Sequence, residues 1–515
     1  MILIVVDAKN NIVEKRIRHI FNQIMSYLGY SYEIKSKLNK NLVLNKKYSL
    51  LVHYGSRALS IKNKNLIQIT QDRQQTILNK KQKKLYYFKD KRTAVFNHDF
   101  ILESFRILSR EEEIGYKHLD KHQRFVAGKS EIFDHLKNPI INKYAGILSN
   151  LIKKFHRIDN IPLIQKCHWP KNKKFAVCLS HDVDIVSFIK SDFFSFSKIA
   201  DIIKGRNPYW QFDKIIELEK NYGFNSTFFF CTGKKHKFDP NYSIKERRII
   251  NVLKLLKKEG NEVGMHTSYL AYDNKEMMKP EKMELSRLVG NKIGARTHFL
   301  RFKVPDTLVL EDKLGFYYDS SLGYSTNTGY RSGFCWAYNP YAIGSEKELS
   351  IFELPLSIMD GALFCEYKTA NDAFRSLKRI FYNIEKFNGV IVMNWHQRVF
   401  NERYFIGWSA VYQKCLEYFK KKGAFVGTAG SITDWTKNRN SISLSRRTDG
   451  NILKFRLNSK TEVKDFALRI LFAGNMKLKV NNYKNYRVVK DKKDFIIIFK
   501  KINMDQNIIL ELVKS

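Results

Sequence analysis

Five short strings carry residues that could do chemistry, and each stands at or near the end of a strand-like apolar run. The first is Leu179-Ser180-His181-Asp182-Val183-Asp184. Strand side chains alternate between faces, so Asp182 and Asp184 are expected to project the same way. Two close carboxylates repel each other unless a cation or a shared proton lies between them. One could then hold a metal while the other takes a proton from water. The second string, Glu262-Val263-Gly264-Met265-His266-Thr267, delivers His266. A strand-end histidine alone is more often a hydrogen-bonded core residue. Beside an Asp-x-Asp strand end it becomes a candidate ligand, because neutral imidazole suits zinc and other late first-row metals.

The third string runs Arg296-Thr297-His298-Phe299-Leu300-Arg301-Phe302 and is followed by Tyr317-Tyr318-Asp319-Ser320-Ser321-Leu322-Gly323-Tyr324. Arg301, inside a Phe-Leu-Arg-Phe stretch, needs a buried carboxylate or an anionic substrate to justify its burial. The fourth is Glu353-Leu354-Pro355-Leu356, leading to Asp360. The fifth, Val392-Met393-Asn394-Trp395-His396, ends in a second histidine, the placement expected of a general acid.

The elements that must position these strings alternate strand and helix. Phe175–Leu179, Ser226–Cys231, Glu262–Met265, Ile351–Leu356 and Gly389–Trp395 read as buried strands. Asp213–Tyr222, Ile249–Glu259 and Ala410–Lys421 read as helices. Repeated strand-then-helix units point to a parallel α/β barrel or a doubly wound sheet, whose active sites assemble at the C-terminal ends of the strands. The expected domains are an N-terminal α/β domain over 1–110, a helical connector over 111–170, the large parallel unit over 171–437 and a small C-terminal β-sandwich-like domain over 438–515. No Gly-x-Gly-x-x-Gly, Walker loop, Gly-x-Ser-x-Gly or His-Glu-x-x-His occurs, so nucleotide, serine-esterase and zincin chemistry lack support.

Lys plus Arg number 91 against 50 Asp plus Glu, a net charge of +41 spread through every segment. Without a basic tail or recognition motif this reads as a solvated surface, and no specific nucleic-acid partner is expected. Contact with an anionic membrane surface stays open, as does the oligomeric state. No apolar run approaches the roughly 18 residues of a spanning helix, and the apolar start Met1–Val6 is too short for a secretory signal. The expected location is cytoplasmic. The six cysteines contain no Cys-x-x-Cys pair and read as buried small hydrophobes.

In order and placement the five strings resemble the polysaccharide deacetylase (NodB-homology) family over about residues 170–436, roughly half the chain. With the N-terminal α/β domain, the pattern looks like a bacterial subgroup associated with surface-polysaccharide gene clusters. The resemblance implies a distorted (β/α) barrel and a metal-dependent hydrolase, usually zinc-bound, that removes N- or O-acetyl groups from a glycan or glycan precursor. It makes Asp182 the catalytic base, Arg301 the arginine orienting that base, and His396 the general acid. The family's second aspartate falls on Val183, so Asp184 must stand in as metal ligand beside His266. The family's second histidine falls on Leu270, which cannot coordinate. Either His298 or Asp273 completes the site, or metal binding is weak or absent; the expected set is Asp184, His266 and His298. Trp395 and Tyr324 are the expected sugar contacts. The competing reading is a barrel that binds or scaffolds carbohydrate after losing catalysis.

Overall fold

The computed structural model describes every residue except 40, 43–44, 46, 58, 60, 62–63, 72–84, 188–206, 450–451, 473, 475, 492–493 and 514–515. The chain divides into two compact units. One comprises Met1–Ile107, Ile140–Lys173 and Asp434–Ser515, the other Leu108–Pro139 and Lys174–Thr433. Residues 111–170, expected as a connector, are thus shared between the units. No helix among the described residues is long and apolar enough to cross a membrane.

The first unit contains a six-stranded sheet ordered Tyr32–Lys35, Ile2–Asp7, Leu50–Gly55, Leu66–Thr70, Thr93–Phe96 and Tyr86–Asp90. All its pairings are parallel except the last. The helix Asn11–Leu28 starts on an Asn10 cap and stops at Gly29, whose φ of 75° suits glycine. The C-terminal residues form two four-stranded sheets, paired antiparallel throughout. Leu163–Lys166 supplies an edge strand to one of them.

The second unit is a distorted (β/α) barrel. Its sheet runs Phe352–Glu353, Tyr318–Asp319, Ala295–Thr297, Glu262–Thr267, Thr227–Cys231, Ala176–Val183, Val390–Asn394 and Ile358–Met359, with Phe425–Gly427 also paired to Ala176–Val183. Every pairing is parallel. Helices Phe212–Tyr222, Arg247–Lys258, Lys275–Val289, Ala370–Phe387 and Trp408–Lys421 join the strands. Alternation along the strands decides what faces them. Val177, Leu179, Phe228, Phe230, Val263 and Met265 enter the large core together with apolar helix residues such as Ile215, Leu256 and Leu416.

The opposite strand faces fill the barrel interior. A methyl group on Gly264 would lie 2.6 Å from the Phe229 ring, and one on Gly294 would lie 2.0 Å from the Tyr318 ring. Glycine therefore makes room for the two aromatic rings that plug the interior below the site. The expected strand Ile351–Leu356 is reduced to Phe352–Glu353. Pro355 has no N–H with which to extend the ladder.

Candidate active site

Ser180 and Asp182 project to the face of their strand opposite Val177, Leu179 and Val183. Asp182 is 3% exposed. Its Oδ1 accepts a hydrogen bond from Arg296 Nη1 at 2.9 Å and its Oδ2 one from Asn394 Nδ2 at 2.7 Å. Burial alone would push this carboxyl up, but Arg296, followed by His266 and His396, holds it below the usual carboxylate range. Arg296 is itself fixed. Its Nε donates to the Ser320 carbonyl, its Nη2 to Ser320 Oγ, and its guanidinium lies 4.3 Å from the centre of the Phe229 ring.

Asp184 lies just beyond the last residue of that strand, Val183, and meets two histidines from other strand ends of the sheet. His266 Nε2 lies 3.2 Å from Asp184 Oδ1 and 3.9 Å from Asp182 Oδ2, and His298 Nε2 lies 3.7 Å from Asp184 Oδ1. One ligand atom from each of Asp184, His266 and His298 falls within 4.8 Å of the others. His266 Nδ1 donates to the Arg296 carbonyl at 2.8 Å, which orients the ring and leaves Nε2 toward Asp184. Burial opposes the charge on His266, yet Asp182 and Asp184 raise its pKa. Burial dominates at His298 and pushes it down to about 4, so that imidazole is neutral. Despite burial, Asp184 is held well below the usual carboxylate range, chiefly by His396 and His266.

His396 stands just beyond the strand Val390–Asn394. Its Nε2 lies 3.3 Å from Asp184 Oδ2, while its Nδ1 donates to Asp360 Oδ1 at 2.7 Å. Burial disfavours the imidazolium, but Asp360 and Asp184 outweigh it and push the pKa up to about 10. Arg124, Phe299, Leu300, Ser325, Met359 and Arg398 complete the walls of a cleft of about 180 Å³ around Asp182, Asp184, His266, His298 and His396. Phe299 and Leu300 have φ of 60° and 53°, a costly backbone for residues other than glycine. Arg124 braces that segment by donating from Nη1 to the Phe299 carbonyl at 2.9 Å.

Five sequence-derived site residues therefore meet in one cleft: Asp182, Asp184, His266, His298 and His396. Three do not behave as expected. Arg301 does not pair with Asp182; its guanidinium donates to the backbone carbonyls of His122 and Tyr269 and to Tyr272 Oη. Arg296 makes the contact expected of Arg301, because it sits on the strand beside His266, in register with it, and shares its inner face. Trp395 is fully buried in the core against Tyr412 and Phe364, and Tyr324 is buried with its hydroxyl accepting from Arg110 Nη2 at 3.1 Å. Neither ring lines the cleft. Leu270 is 39% exposed, and Asp273 is not part of the ligand cluster. Asp360 was legible as the end of the fourth string and Asn394 as a near neighbour of His396, but neither was assigned a role.

A sequence-family profile described as a family of unknown function, DUF7033, matches residues 4–157. No curated protein matches the chain. Among solved structures, it is similar to a protein assigned as a polysaccharide deacetylase from Mycobacterium smegmatis, at 17% identity and a TM-score of 0.39, over 52% of this chain and 92% of that one. It is similar to Agd3, described as a novel carbohydrate deacetylase, at 9% identity and a TM-score of 0.42, over 100% of this chain and 98% of that one. A CE4 family pseudoenzyme from Bacillus anthracis is similar at 12% identity and a TM-score of 0.29, over 51% of this chain and 66% of that one. The barrel rests on its own strand order, and what its cleft can do follows from its own side chains.

Those side chains fit a divalent cation. One carboxylate and two imidazoles form a donor set suited to zinc. Two buried atoms of the cluster, Asp184 Oδ1 and His298 Nδ1, have no hydrogen-bond partner among the described residues. Buried polar atoms are ordinarily satisfied, so an unpaired carboxylate oxygen beside two imidazoles marks a place for a ligand.

Proposed function

We propose that this protein is a metal-dependent carbohydrate deacetylase acting on an N- or O-acetyl group of a glycan or glycan precursor, in the manner of bacterial surface-polysaccharide enzymes. The observation that carries the reading is the convergence of an ionised aspartate, a carboxylate–imidazole ligand set and a carboxylate-backed histidine in one cleft. Asp184, His266 and His298 are the residues that would hold the cation, zinc being the first choice for such donors. When bound, a divalent cation polarises the acyl carbonyl and makes water a better nucleophile at neutral pH.

The chain's own groups account for the proton movements. Asp182, kept ionised by Arg296 and oriented by Asn394, accepts a proton from the attacking water. His396 carries a proton at neutral pH and can pass it from Nε2 to the departing amine or hydroxyl, while Asp360 holds the ring in place through Nδ1. Arg296 acts through Asp182 as a positioning residue. The position of His298 beside Asp184 and His266 supports this reading over a binding-only barrel, because it supplies the donor that Leu270 cannot.

The test is acetate release from acetylated amino-sugar oligosaccharides by protein stripped with a chelator and then reloaded with zinc. Release restored by zinc and abolished in Asp182→Asn, with metal content retained, is the expected result. Metal-loaded protein that binds such oligosaccharides without releasing acetate would favour the binding-only reading.

A further inference from the structure

The walls of the cleft hold two cations that the proposed chemistry does not use, Arg124 and Arg398. Arg398 lies two residues beyond His396, in the short 3-10 turn Gln397–Phe400, and faces the same cleft as the ligand cluster. Its side chain is 26% exposed. Among the described residues its guanidinium makes no hydrogen bond. Its one ion pair places Nη1 3.6 Å from Asp184 Oδ2, beyond hydrogen-bond reach. The other charges of the cleft are matched. Asp182 answers Arg296, and Asp360 answers His396. Arg124 is held by Asp120 through Nε and Nη2 and by the Phe299 carbonyl through Nη1. A cation at Asp184 would absorb the charge of that carboxylate and leave Arg398 without a counterion.

We infer that Arg398 is a specificity-determining residue that receives an anionic group, a carboxylate or a phosphate, carried by the substrate close to the acyl group. The inference rests on the deacetylase reading and names its substrate class: an acidic glycan. A guanidinium offers a planar fork that matches either anion through paired N–H donors, which a lysine could not do. The unmatched donors of Arg398 are already inside the cleft, so binding costs little rearrangement. The excess of +41 over the whole chain would raise the local concentration of such a substrate.

The experiment compares three acetylated oligosaccharides that share the acylated sugar, with a neutral, a uronate or a phosphodiester-bearing neighbour. Wild-type protein should favour an acidic substrate in kcat/KM by about tenfold or more at low salt, with the preference shrinking as salt rises. The acidic substrate with the larger ratio identifies the anion. Arg398→Gln should bring that ratio close to one, and Arg398→Lys should retain part of it. Calorimetric binding of the deacetylated acidic oligosaccharides gives a second readout that needs no turnover, and Arg398→Gln should weaken it by a similar factor. An acidic-to-neutral ratio that survives in Arg398→Gln, or equal losses on all three substrates, would overturn the inference; equal losses would place Arg398 on the reacting carbonyl instead. If wild-type protein cleaves none of the three, the deacetylase reading fails, while binding of the acidic products still decides the role of Arg398.

Discussion

Both oxygens of Asp360 are committed to His396: Oδ1 accepts from the ring Nδ1 and Oδ2 from the backbone N–H, each at 2.7 Å. The two residues lie on consecutive strand ends, because Ile358–Met359 pairs with Met393 and Asn394. This double hold fixes the ring so that only Nε2 is available to the cleft. It also gives the imidazolium a buried counter-charge. A proton donor needs both properties.

Asp360→Asn should therefore reduce turnover by roughly 10²–10⁴-fold, the usual range for loss of a positioned acid. The metal content should stay at wild-type level, because Asp360 is not in the ligand cluster. Loss of metal in this variant would show that the pair supports the cation site rather than proton transfer.

The two arginines of the third string should separate cleanly. Arg296→Lys keeps a charge but loses the fork shared among Asp182, Ser180 and Ser320. It should cost about 10²-fold in kcat with little change in KM, through the misplaced base. Arg301→Lys loses bonds to two loop carbonyls and should cost about 1–3 kcal/mol of stability while keeping most turnover. Denaturant titration and steady-state kinetics on both variants check the pair.

Much of the fold was legible because buried strands here are uninterrupted apolar runs. Thr227–Cys231 and Val390–Asn394 were placed to within a residue at each end. The strand Ala176–Val183 ran further than its apolar part suggested, because Ser180 and Asp182 find their partners across the barrel. Tyr486–Asp491 was missed, being exposed along its whole length with no alternation to read. In the site, strand-end position singled out the two aspartates, His266 and His396, while His298 entered as one of two candidates for the ligand missing at Leu270. Position could not choose between Arg296 and Arg301, which lie five residues apart and differ only in which face the backbone gives them. Aromatic type misled at Trp395 and Tyr324, whose rings serve the core and a buried Arg110–Arg331–Glu113 network.

A pH effect on stability should come from a separate place in the barrel. Glu311, Asp319 and Glu353 are fully buried together, with Asp319 and Glu353 in register on adjacent strands. Burial is the main cause that raises all three pKa values; mutual repulsion adds to it at Glu311 and Glu353, and hydrogen bonds from Glu353 and Ser321, then Arg296, offset it in part at Asp319. The folded protein thus holds protons that the unfolded chain releases above about pH 4.5. Stability should fall as pH rises from there toward the folded-state values. Glu311→Gln should raise the melting temperature more at pH 8 than at pH 5. An equal shift at both values would mean that the cluster does not titrate in this range.

The barrel interior should tolerate no added volume at two glycines. Gly294→Ala places a methyl group against the Tyr318 ring and should cost about 1–3 kcal/mol. Gly264→Ala, against Phe229, should behave similarly, and it should also lower turnover because Phe229 backs Arg296, which positions Asp182. Melting curves and steady-state kinetics on the two variants separate the effects.

A metal held by Asp184, His266 and His298, with His298 in place of the histidine missing at Leu270, would be visible by anomalous scattering at the zinc edge from crystals of zinc-loaded protein. One strong peak is expected, with a carboxylate oxygen of Asp184 and a ring nitrogen of each histidine at about 2.0–2.2 Å. The peak should vanish in His298→Ala. A peak elsewhere, or one that keeps its full height without His298, would show that these three residues do not hold the ion.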